Sequence, residues 1–176
     1  ILIDSGLFIG SGFVDGDLYN AGIVDPGLDS TNFGILTISG AYTQDSTGTL
    51  VIDIGGHSPK SGYDQLTTNT ASLAGLLDLN FIRDTTFNPI FGTRFKVIRW
   101  LESSYEGVFD TISHLQFLIS KDFNAYGDTI SLDPVYSIND LTIFGTNTER
   151  EMWMQFMGRK KIRSGTKQEV KLFYGN

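Results

Sequence analysis

Short apolar runs and polar turn residues alternate along most of the chain. From Gly10 to about Phe81, leucine-rich or β-branched runs are separated by glycine, asparagine, aspartate, serine and threonine, and no apolar stripe with a helical period persists. This pattern predicts strands rather than helices. The candidate strands in this part are Phe13–Tyr19, Gly22–Val24, Ile35–Ser39, Ala41–Gln44, Thr49–Ile54, Gln65–Thr67, Ser72–Ala74 and Leu76–Phe81.

The last third of the chain also has the pattern of β-strands. The candidate strands there are His114–Ser120, Thr129–Leu132, Leu141–Phe144, Met152–Met157 and Glu169–Tyr174. The last two flank a basic loop, Gly158–Gly165, and this arrangement predicts a hairpin with a charged tip.

Short strands at close spacing fit two all-β architectures, a β-solenoid or a β-sandwich of the jelly-roll type. Gly40 interrupts the alternating run Gly34–Gln44 without a long turn, as a bend at a coil corner requires. A similar layout returns in Gly48–Gly56 and in Leu73–Leu79, and the recurrent unit has roughly twenty residues, within the range of solenoid repeats. These features favour the solenoid, and the sandwich is the alternative.

Several phrases of the sequence follow one another in an order that resembles a known class of surface proteins. They are GFVDGDLYNAGIVDPG at 12–27, GILTISGAYTQDSTGTLVIDIGG at 34–56, YDQL at 63–66, ASLAGLLDL at 71–79, GTRFKVI at 92–98 and EGVFD at 106–110. Together they span about residues 10–110 and resemble the C-terminal end of a bacterial autotransporter-like passenger, a right-handed β-helix adhesin repeat. The resemblance implies a right-handed β-solenoid capped by a few irregular strands.

The resemblance and the length together predict how the chain is organised. With 176 residues, one domain with an appendage is expected, here a solenoid-like body at 1–110 and a β-rich cap, docking or oligomerisation region at 111–176. The segment Ile1–Gly12 already has the pattern of a coil interior, so we expect a further portion of chain upstream, with which a targeting signal could have been lost.

The predicted function is structural rather than enzymatic. The leading hypothesis is an extracellular or cell-surface scaffold or adhesin, a stiff β rod that displays loops and assembles through its C-terminal region. One alternative is a virion component, either a capsid decoration protein or a tail fibre module. The other is a solenoid enzyme that cleaves glycans.

Charge is distributed unevenly and indicates where partners bind. The net charge is −7, yet residues 149–171 carry seven basic and three acidic side chains, which leaves six basic and 17 acidic residues elsewhere. The hypothetical interface consists of Met152, Trp153, Phe156, Arg159, Lys160, Lys161 and Arg163. The expected partners are further copies of the chain or a larger assembly, together with a surface glycan or receptor. The acidity argues against nucleic acid, and no apolar run approaches the ~18 residues of a membrane helix.

Candidate chemistry is sparse, and we expect no bound cofactor. The glycan-cleaving alternative needs paired carboxylates, for which Asp15 and Asp17 are the best-spaced candidates, although surface turns account for them more simply. The same two residues with Asp25 and Asp29 could supply oxygen ligands to calcium, but they match no known calcium loop. The two histidines, His57 and His114, lie in no metal or nucleophile motif, and the chain has no cysteine.

Overall fold

The computed structural model describes residues 1–29, 31–82, 87, 89, 92–113, 116–118, 129–147, 153–157 and 171–175. These residues are all-β, and no helix occurs among them. Accordingly, none of them forms a helix with the length and apolar character needed to cross a membrane. The strands are β1 (Leu2–Ile3), β2 (Leu7–Ile9), β3 (Gly12–Val14), β4 (Leu18–Asn20), β5 (Ile23–Asp25), β6 (Ile35–Ile38), β7 (Ala41–Gln44), β8 (Thr49–Ile54), β9 (Gln65–Leu73), β10 (Leu76–Phe81), β11 (Arg94–Gly107), β12 (Thr111–Ile112), β13 (Gln116–Leu118), β14 (Thr129–Tyr136), β15 (Asp140–Asn147), β16 (Trp153–Met157) and β17 (Lys171–Gly175).

Strands β1 to β12 form three columns of parallel strands. Column one contains β1, β4, β7 and the second halves of β9 and β11. Column two contains β2, β5, β8, β10 and β12. Column three contains β3, β6 and the first halves of β9 and β11. The chain passes through columns one, two and three in that order and then returns to column one, and we call each such passage a circuit. Each strand therefore lies beside the corresponding strand of the preceding circuit.

The circuits lengthen along the chain. Leu2 pairs with Tyr19, 17 positions later, whereas Leu76 pairs with Thr111, 35 positions later. The predicted repeat of roughly twenty residues is therefore wrong for the later circuits. The extra length lies in connections such as 55–64, which joins β8 to β9, and in the strands themselves, since β8 and β10 have six residues whereas β2 and β5 have three.

Column two shows how the sequence pattern builds the core. Alternate residues of a strand point to the same side, and Phe8, Val24, Leu50, Leu77 and Ile112 lie in register on the interior side of successive strands. Val24, Leu50 and Leu77 have no exposed surface. The apolar alternation read from the sequence is thus a ladder of stacked side chains that runs through the parallel body.

Polar side chains are also stacked in the interior, at the end of column one. Asn20 and Gln44 lie in register and are buried. Asn20 Nδ2 donates to Gln44 Oε1 (3.2 Å) and to the carbonyl of Thr49 (3.0 Å), and Gln44 Nε2 donates to the carbonyl of Ala74 (2.8 Å). A buried carbonyl without a hydrogen-bond donor lowers the stability of the fold. By donating to these carbonyls, the two amides stabilise the bend between column one and column two.

Close backbone contact makes glycine necessary at the same bend. The amide of Thr49 donates to the carbonyl of Gly22 and that of Leu76 to the carbonyl of Gly48, which stacks the bends of successive circuits. Gly75 has φ 68°, and a Cβ atom there would lie 2.4 Å from the Gly48 carbonyl oxygen. Glycine is the residue that tolerates both conditions.

An antiparallel extension joins the last circuit. The first half of β11 pairs antiparallel with β15, which pairs with β14 and through it with β13. The sheet that contains columns one and three therefore continues across residue 110. The proposed division at that residue stays a prediction.

Several predicted strands are confirmed, and two predictions are wrong. Gln65–Thr67 and Ser72–Ala74 are not separate strands, because they lie at the two ends of one continuous strand, β9. Ala41–Gln44, Thr49–Ile54 and Leu76–Phe81 have the predicted bounds. Phe13–Tyr19 is two strands, because Gly16 adopts φ 95° and ends the extended run between β3 and β4. The candidate strands Met152–Met157 and Glu169–Tyr174 correspond to β16 and β17, which pair antiparallel as a hairpin requires. The loop between them lies outside the described residues.

Candidate functional site: a buried carboxylate cluster

The columns bring together three aspartates that are distant in sequence. Asp25 ends β5, Asp53 lies in β8 of the next circuit, and Asp64 immediately precedes β9. One carboxylate oxygen from each lies within 4.8 Å of the others. Among the described residues this is the only group of three or more acidic, histidine or cysteine side chains at such distances. We call these three residues the carboxylate cluster.

The connection between β8 and β9 buries the cluster. Asp53 alternates with the interior residues Ile52 and Ile54, so its side chain points away from the core of the parallel body. The segment 55–64 returns over it, with a bridge between Ile54 and Tyr63. As a result Asp53 is only 3% exposed and Asp64 is fully buried, whereas Asp25 is partly exposed.

Hydrogen bonds connect the cluster to three other residues, Gly27, Gly34 and Asn80, and join two of its members to each other. Asp64 Oδ1 accepts from the amide of Gly34 (2.7 Å), and its Oδ2 accepts from the amide of Asp53 (3.0 Å). The Asp64 amide in turn donates to the Asp53 carbonyl (2.9 Å). Asp53 Oδ1 accepts from Asn80 Nδ2 (2.8 Å), and Asp25 Oδ1 accepts from the amide of Gly27 (3.0 Å). Asp64 thereby links the residue before β6 to the end of β8.

Burial makes the charged form of each carboxyl unfavourable. It raises the pKa of Asp64 to about 7, although the amides of Gly34 and Asp53 donate to that carboxylate and act in the opposite direction. Burial also raises the pKa of Asp25 and of Asp53, and for Asp53 the negative charge of Asp25 adds to the effect. The one salt bridge among the described residues, Lys96 to Asp140, lies elsewhere and does not neutralise the cluster.

Two kinds of occupant suit these oxygens. A proton can be held on Asp64 at neutral pH without any further group, because its pKa is close to 7. A hard cation such as Ca²⁺ prefers carboxylate oxygens but takes about six to eight of them. The cluster supplies one oxygen from each of three residues, which is only part of the coordination shell of Ca²⁺. A bound proton, in contrast, needs no further ligand.

Comparison with family models and with curated proteins gives no family assignment. Neither the protein-family models nor the curated proteins compared with this chain match it. The resemblance to autotransporter-like passengers therefore rests on the sequence phrases alone.

The aspartates considered in the sequence do not come together. Asp25 belongs to the carboxylate cluster, but Asp15 and Asp17 lie in the turn between β3 and β4, outside it. Asp17 Oδ1 accepts from the amide of Ala41 (2.8 Å) and Asp15 Oδ1 from the hydroxyl of Ser39 (3.0 Å), so both link adjacent circuits. Asp29 accepts from Thr31 and Asn32 in its own turn. The four-residue calcium set is therefore wrong as a set.

The sequence analysis did not identify Asp53 and Asp64 as candidate site residues. A signal exists for Asp53, because it is a charged residue within the otherwise apolar end of the run Leu50–Ile54. No comparable signal marks Asp64, which follows Tyr63 at the start of a polar stretch. Its burial depends on the path of segment 55–64, which local sequence does not specify.

The remaining candidate residues lie apart from the cluster. His57 is exposed, and its ring contacts Phe87 edge-on with centroids 5.3 Å apart. Of the hypothetical interface, Trp153 and Phe156 lie on strand β16, whose backbone pairs with β17. His114, Met152, Arg159, Lys160, Lys161 and Arg163 lie outside the described residues.

Proposed function

We propose that this chain is a non-enzymatic structural or adhesive module of a surface protein, in which a stiff β-solenoid displays loops. The observation that carries the proposal is the repeated return of the chain to the same three parallel columns. A β-sandwich of the immunoglobulin or jelly-roll type pairs its strands antiparallel. Parallel ladders between successive circuits instead favour a solenoid, in which each circuit contacts its neighbours.

Stiffness follows from the continuity of these contacts. Backbone hydrogen bonds run along each column from one circuit to the next, and the stacked residues Val24, Leu50 and Leu77 fill the interior behind column two. The buried amides of Asn20 and Gln44 pair with each other and with backbone carbonyls of neighbouring segments. A rod built in this way transmits force through main-chain bonds, a property that suits a spacer or an adhesin.

The acidic residues first considered for catalysis support the structural interpretation. A glycan-cleaving pair needs carboxyl groups that face a common cleft on the substrate. Asp15 and Asp17 instead accept hydrogen bonds from Ser39 and Ala41 of the following circuit. Their polar atoms therefore contribute to coil stacking.

Assembly through the C-terminal region is part of the proposal. An open strand edge invites further pairing, and in column three the outer edge of β11 is paired with β15. The excess of basic side chains in residues 149–171 over an acidic remainder provides attraction to a second acidic body. Reversal of two of these charges, Lys160→Glu with Lys161→Glu, is expected to reduce self-association measured by light scattering.

Hydrogen exchange and an activity panel together test the proposal. In the full chain, backbone amides of β5, β8 and β10 are expected to exchange slowest, because these strands have paired neighbours on both sides. Incubation with a panel of polysaccharides is expected to release no sugars. Rapid exchange in the central strands would contradict the stiff scaffold, and sugar release that is lost in both Asp15→Asn and Asp17→Asn would establish the enzyme instead.

A further inference from the structure

A row of three cations crosses the exposed face of the sheet where the antiparallel extension begins. Arg94, Lys96 and Arg99 all lie on β11, and all three are exposed. They are half of the six basic residues outside segment 149–171, in a part of the chain that holds 17 acidic ones. A local concentration of positive charge on an acidic body is a feature that electrostatic recognition of an anion requires.

An irregularity in β11 keeps the three cations on one face. Strict alternation would place residue 98 beside residues 94 and 96, and residue 99 on the opposite side. The pairing with β15 shifts register between Lys96 and Ile98, and Val97 and Ile98 are both fully buried. Arg99 therefore returns to the exposed face, and the row begins with Arg94 and Lys96 about 7 Å apart along the strand.

Two adjoining depressions follow this row, and we call them together the basic groove. Their volumes are about 440 and 290 Å³, and they share Lys96 and Asp140. Asp140 is the only acidic side chain in the lining of either. The first depression is also lined by Arg94, Val135, Ser137, Thr142 and Phe144, and the second by Arg99, Trp100, Leu101 and Asn139.

Neighbouring groups hold two of the cations in place. Lys96 Nζ lies 3.0 Å from Asp140 Oδ2, and Asp140 Oδ1 accepts from the hydroxyls of Thr142 (2.8 Å) and Ser137 (3.0 Å). Partial burial acts to raise the pKa of Asp140, but Lys96 and the two hydroxyl donors outweigh it and the pKa lies below its ordinary value. The Arg94 guanidinium carbon lies 5.2 Å from the centre of the Phe144 ring, which restrains that side chain by a cation–π contact.

The buried side chain of Trp100, which lines the basic groove, is also fixed in position by a hydrogen bond. Trp100 is 1% exposed, and its Nε1 donates to the carbonyl of Ile138 (2.7 Å), which fixes the turn between β14 and β15 beneath Asn139. Strand β15 pairs with β11 on one side, over Arg94–Arg99, and with β14 on the other. Strand β15 therefore offers no free edge to which a peptide could add by β-augmentation, and recognition on the face of the β11–β15 pair depends on side chains.

We propose that the basic groove binds a linear glycan chain that carries carboxylate or sulfate groups. Arg94, Lys96 and Arg99 contact successive anionic groups, and Asn139 together with the hydroxyl groups of the lining contacts sugar hydroxyls. Arginine suits this role because its planar guanidinium pairs bidentately with a carboxylate or a sulfate. The inference rests on the proposed adhesive function and names the ligand class of such a module.

Matched polymers test the ligand class. The full chain is titrated with polygalacturonate and its neutral methyl ester, and with dextran sulfate and unmodified dextran. Binding of at least one charged polymer and of neither neutral one is the expected result, and the charged member that binds identifies carboxylate or sulfate as the source. Binding of a neutral partner with equal affinity, or no binding of any polymer, would overturn the inference. Polyglutamate that binds as tightly as the charged glycan would assign the groove to acidic peptides and overturn it too.

Charge-neutral variants locate the binding site. Arg94→Gln, Lys96→Gln and Arg99→Gln are each expected to weaken binding of the charged glycan at least about tenfold, because a hydrogen bond to a charged group is lost. Lys60→Gln, a change at an exposed lysine on the β8–β9 connection, is the matched control and is expected to change affinity by less than about twofold. Unchanged affinity in all three groove variants, or a loss confined to Lys160→Gln and Lys161→Gln, would place the binding elsewhere.

The failure of this inference is separable from failure of the scaffold. Circular dichroism and hydrogen exchange of each variant report the parallel columns, whereas glycan affinity reports the groove. Slow exchange in the central strands without glycan binding would contradict glycan binding by the basic groove but not the proposed scaffold. Rapid exchange in the strands of the unmodified chain would contradict the proposed scaffold, whether or not the polymers bind.

Discussion

The carboxylate cluster should make the chain less stable as the pH rises from about 5 to about 8. Burial raises the pKa of Asp64 from 3.8 to about 7. A carboxyl group with a raised pKa binds more protons in the folded state than in the unfolded state. Its contribution to stability is complete below the unfolded pKa and is lost as the pH rises through the folded pKa. The raised pKa values of Asp25 and Asp53 act in the same direction.

The magnitude follows from the size of the shift. One pKa unit corresponds to about 1.4 kcal/mol. The full shift at Asp64 is therefore worth at most roughly 4 kcal/mol, and at most roughly 3 kcal/mol of it is lost between pH 5 and 8, because the rest is lost between the unfolded pKa and pH 5. Domains are stable by only about 5–15 kcal/mol, and the loss is therefore measurable. Asp29, whose pKa is lowered to about 2, together with Asp45 and Asp140, acts in the opposite direction, but at a pH below about 4.

Asp25→Asn isolates the repulsion within the cluster. The amide oxygen of asparagine can still accept from Gly27, while the negative charge near Asp64 is removed. Two charges about 5 Å apart at an effective dielectric constant of about 20 interact by roughly 3 kcal/mol. The variant is therefore expected to be more stable than the unmodified chain by about 1–3 kcal/mol at pH 8 and to differ little at pH 5.

Urea unfolding followed by circular dichroism at several pH values measures both effects. Asp4→Asn, which removes an exposed charge outside the cluster, is the control and should leave the pH dependence unchanged. If the stability of the unmodified chain stays constant or increases between pH 5 and 8, the reasoning is refuted. It is also refuted if the Asp25→Asn curve runs parallel to that of the unmodified chain.

Three further substitutions test the architecture by the free energy of unfolding. Gly75→Ala introduces a Cβ atom 2.4 Å from a carbonyl oxygen at φ 68°, and it is expected to cost at least about 2 kcal/mol, whereas Gly6→Ala, where nothing lies within 4 Å, should cost under about 1 kcal/mol. Gln44→Leu leaves buried carbonyls without donors and is expected to cost about 2 kcal/mol or more, with an unchanged far-ultraviolet spectrum as the check on folding. Leu77→Ala opens a cavity in the column-two ladder and should cost about 2–5 kcal/mol; a cost below about 1 kcal/mol in thermal unfolding would contradict tight stacking there.

Sequence alone predicted the strands that alternate strictly between turn residues. Ala41–Gln44, Thr49–Ile54 and Leu76–Phe81 alternate buried and less buried positions over most of their length, and glycine or aspartate lies close to each boundary. Strand β11 was missed although it is the longest among the described residues. Its residues mix exposed cations with buried apolar side chains, and the shift at Val97 breaks the alternation on which the prediction depends.

The candidate sites depend on tertiary features that local sequence does not carry. Asp25 and Asp53 meet because the register between β5 and β8 places successive circuits side by side, and Asp64 joins them through the path of segment 55–64. The basic groove likewise needs the pairing of β11 with β15, more than forty positions later for Arg94 and Phe144. Charge counts along the chain identified the basic residues 149–171 but not this smaller row.

The buried amides of Asn20 and Gln44 and the carboxylate cluster contribute differently to the stability of the parallel strands. The amides of Asn20 and Gln44 are uncharged and hydrogen-bonded, so they stabilise the bend at any pH. The carboxylate cluster is charged above neutral pH and has no paired cation among the described residues, so it costs stability where the amides do not. Asn80 stacks beside Asp53 in register, and an asparagine at position 53 could continue an amide ladder there. Stability alone therefore does not account for an aspartate at that position, and the stability measured at pH 8 for Asp53→Asn would give the size of its cost.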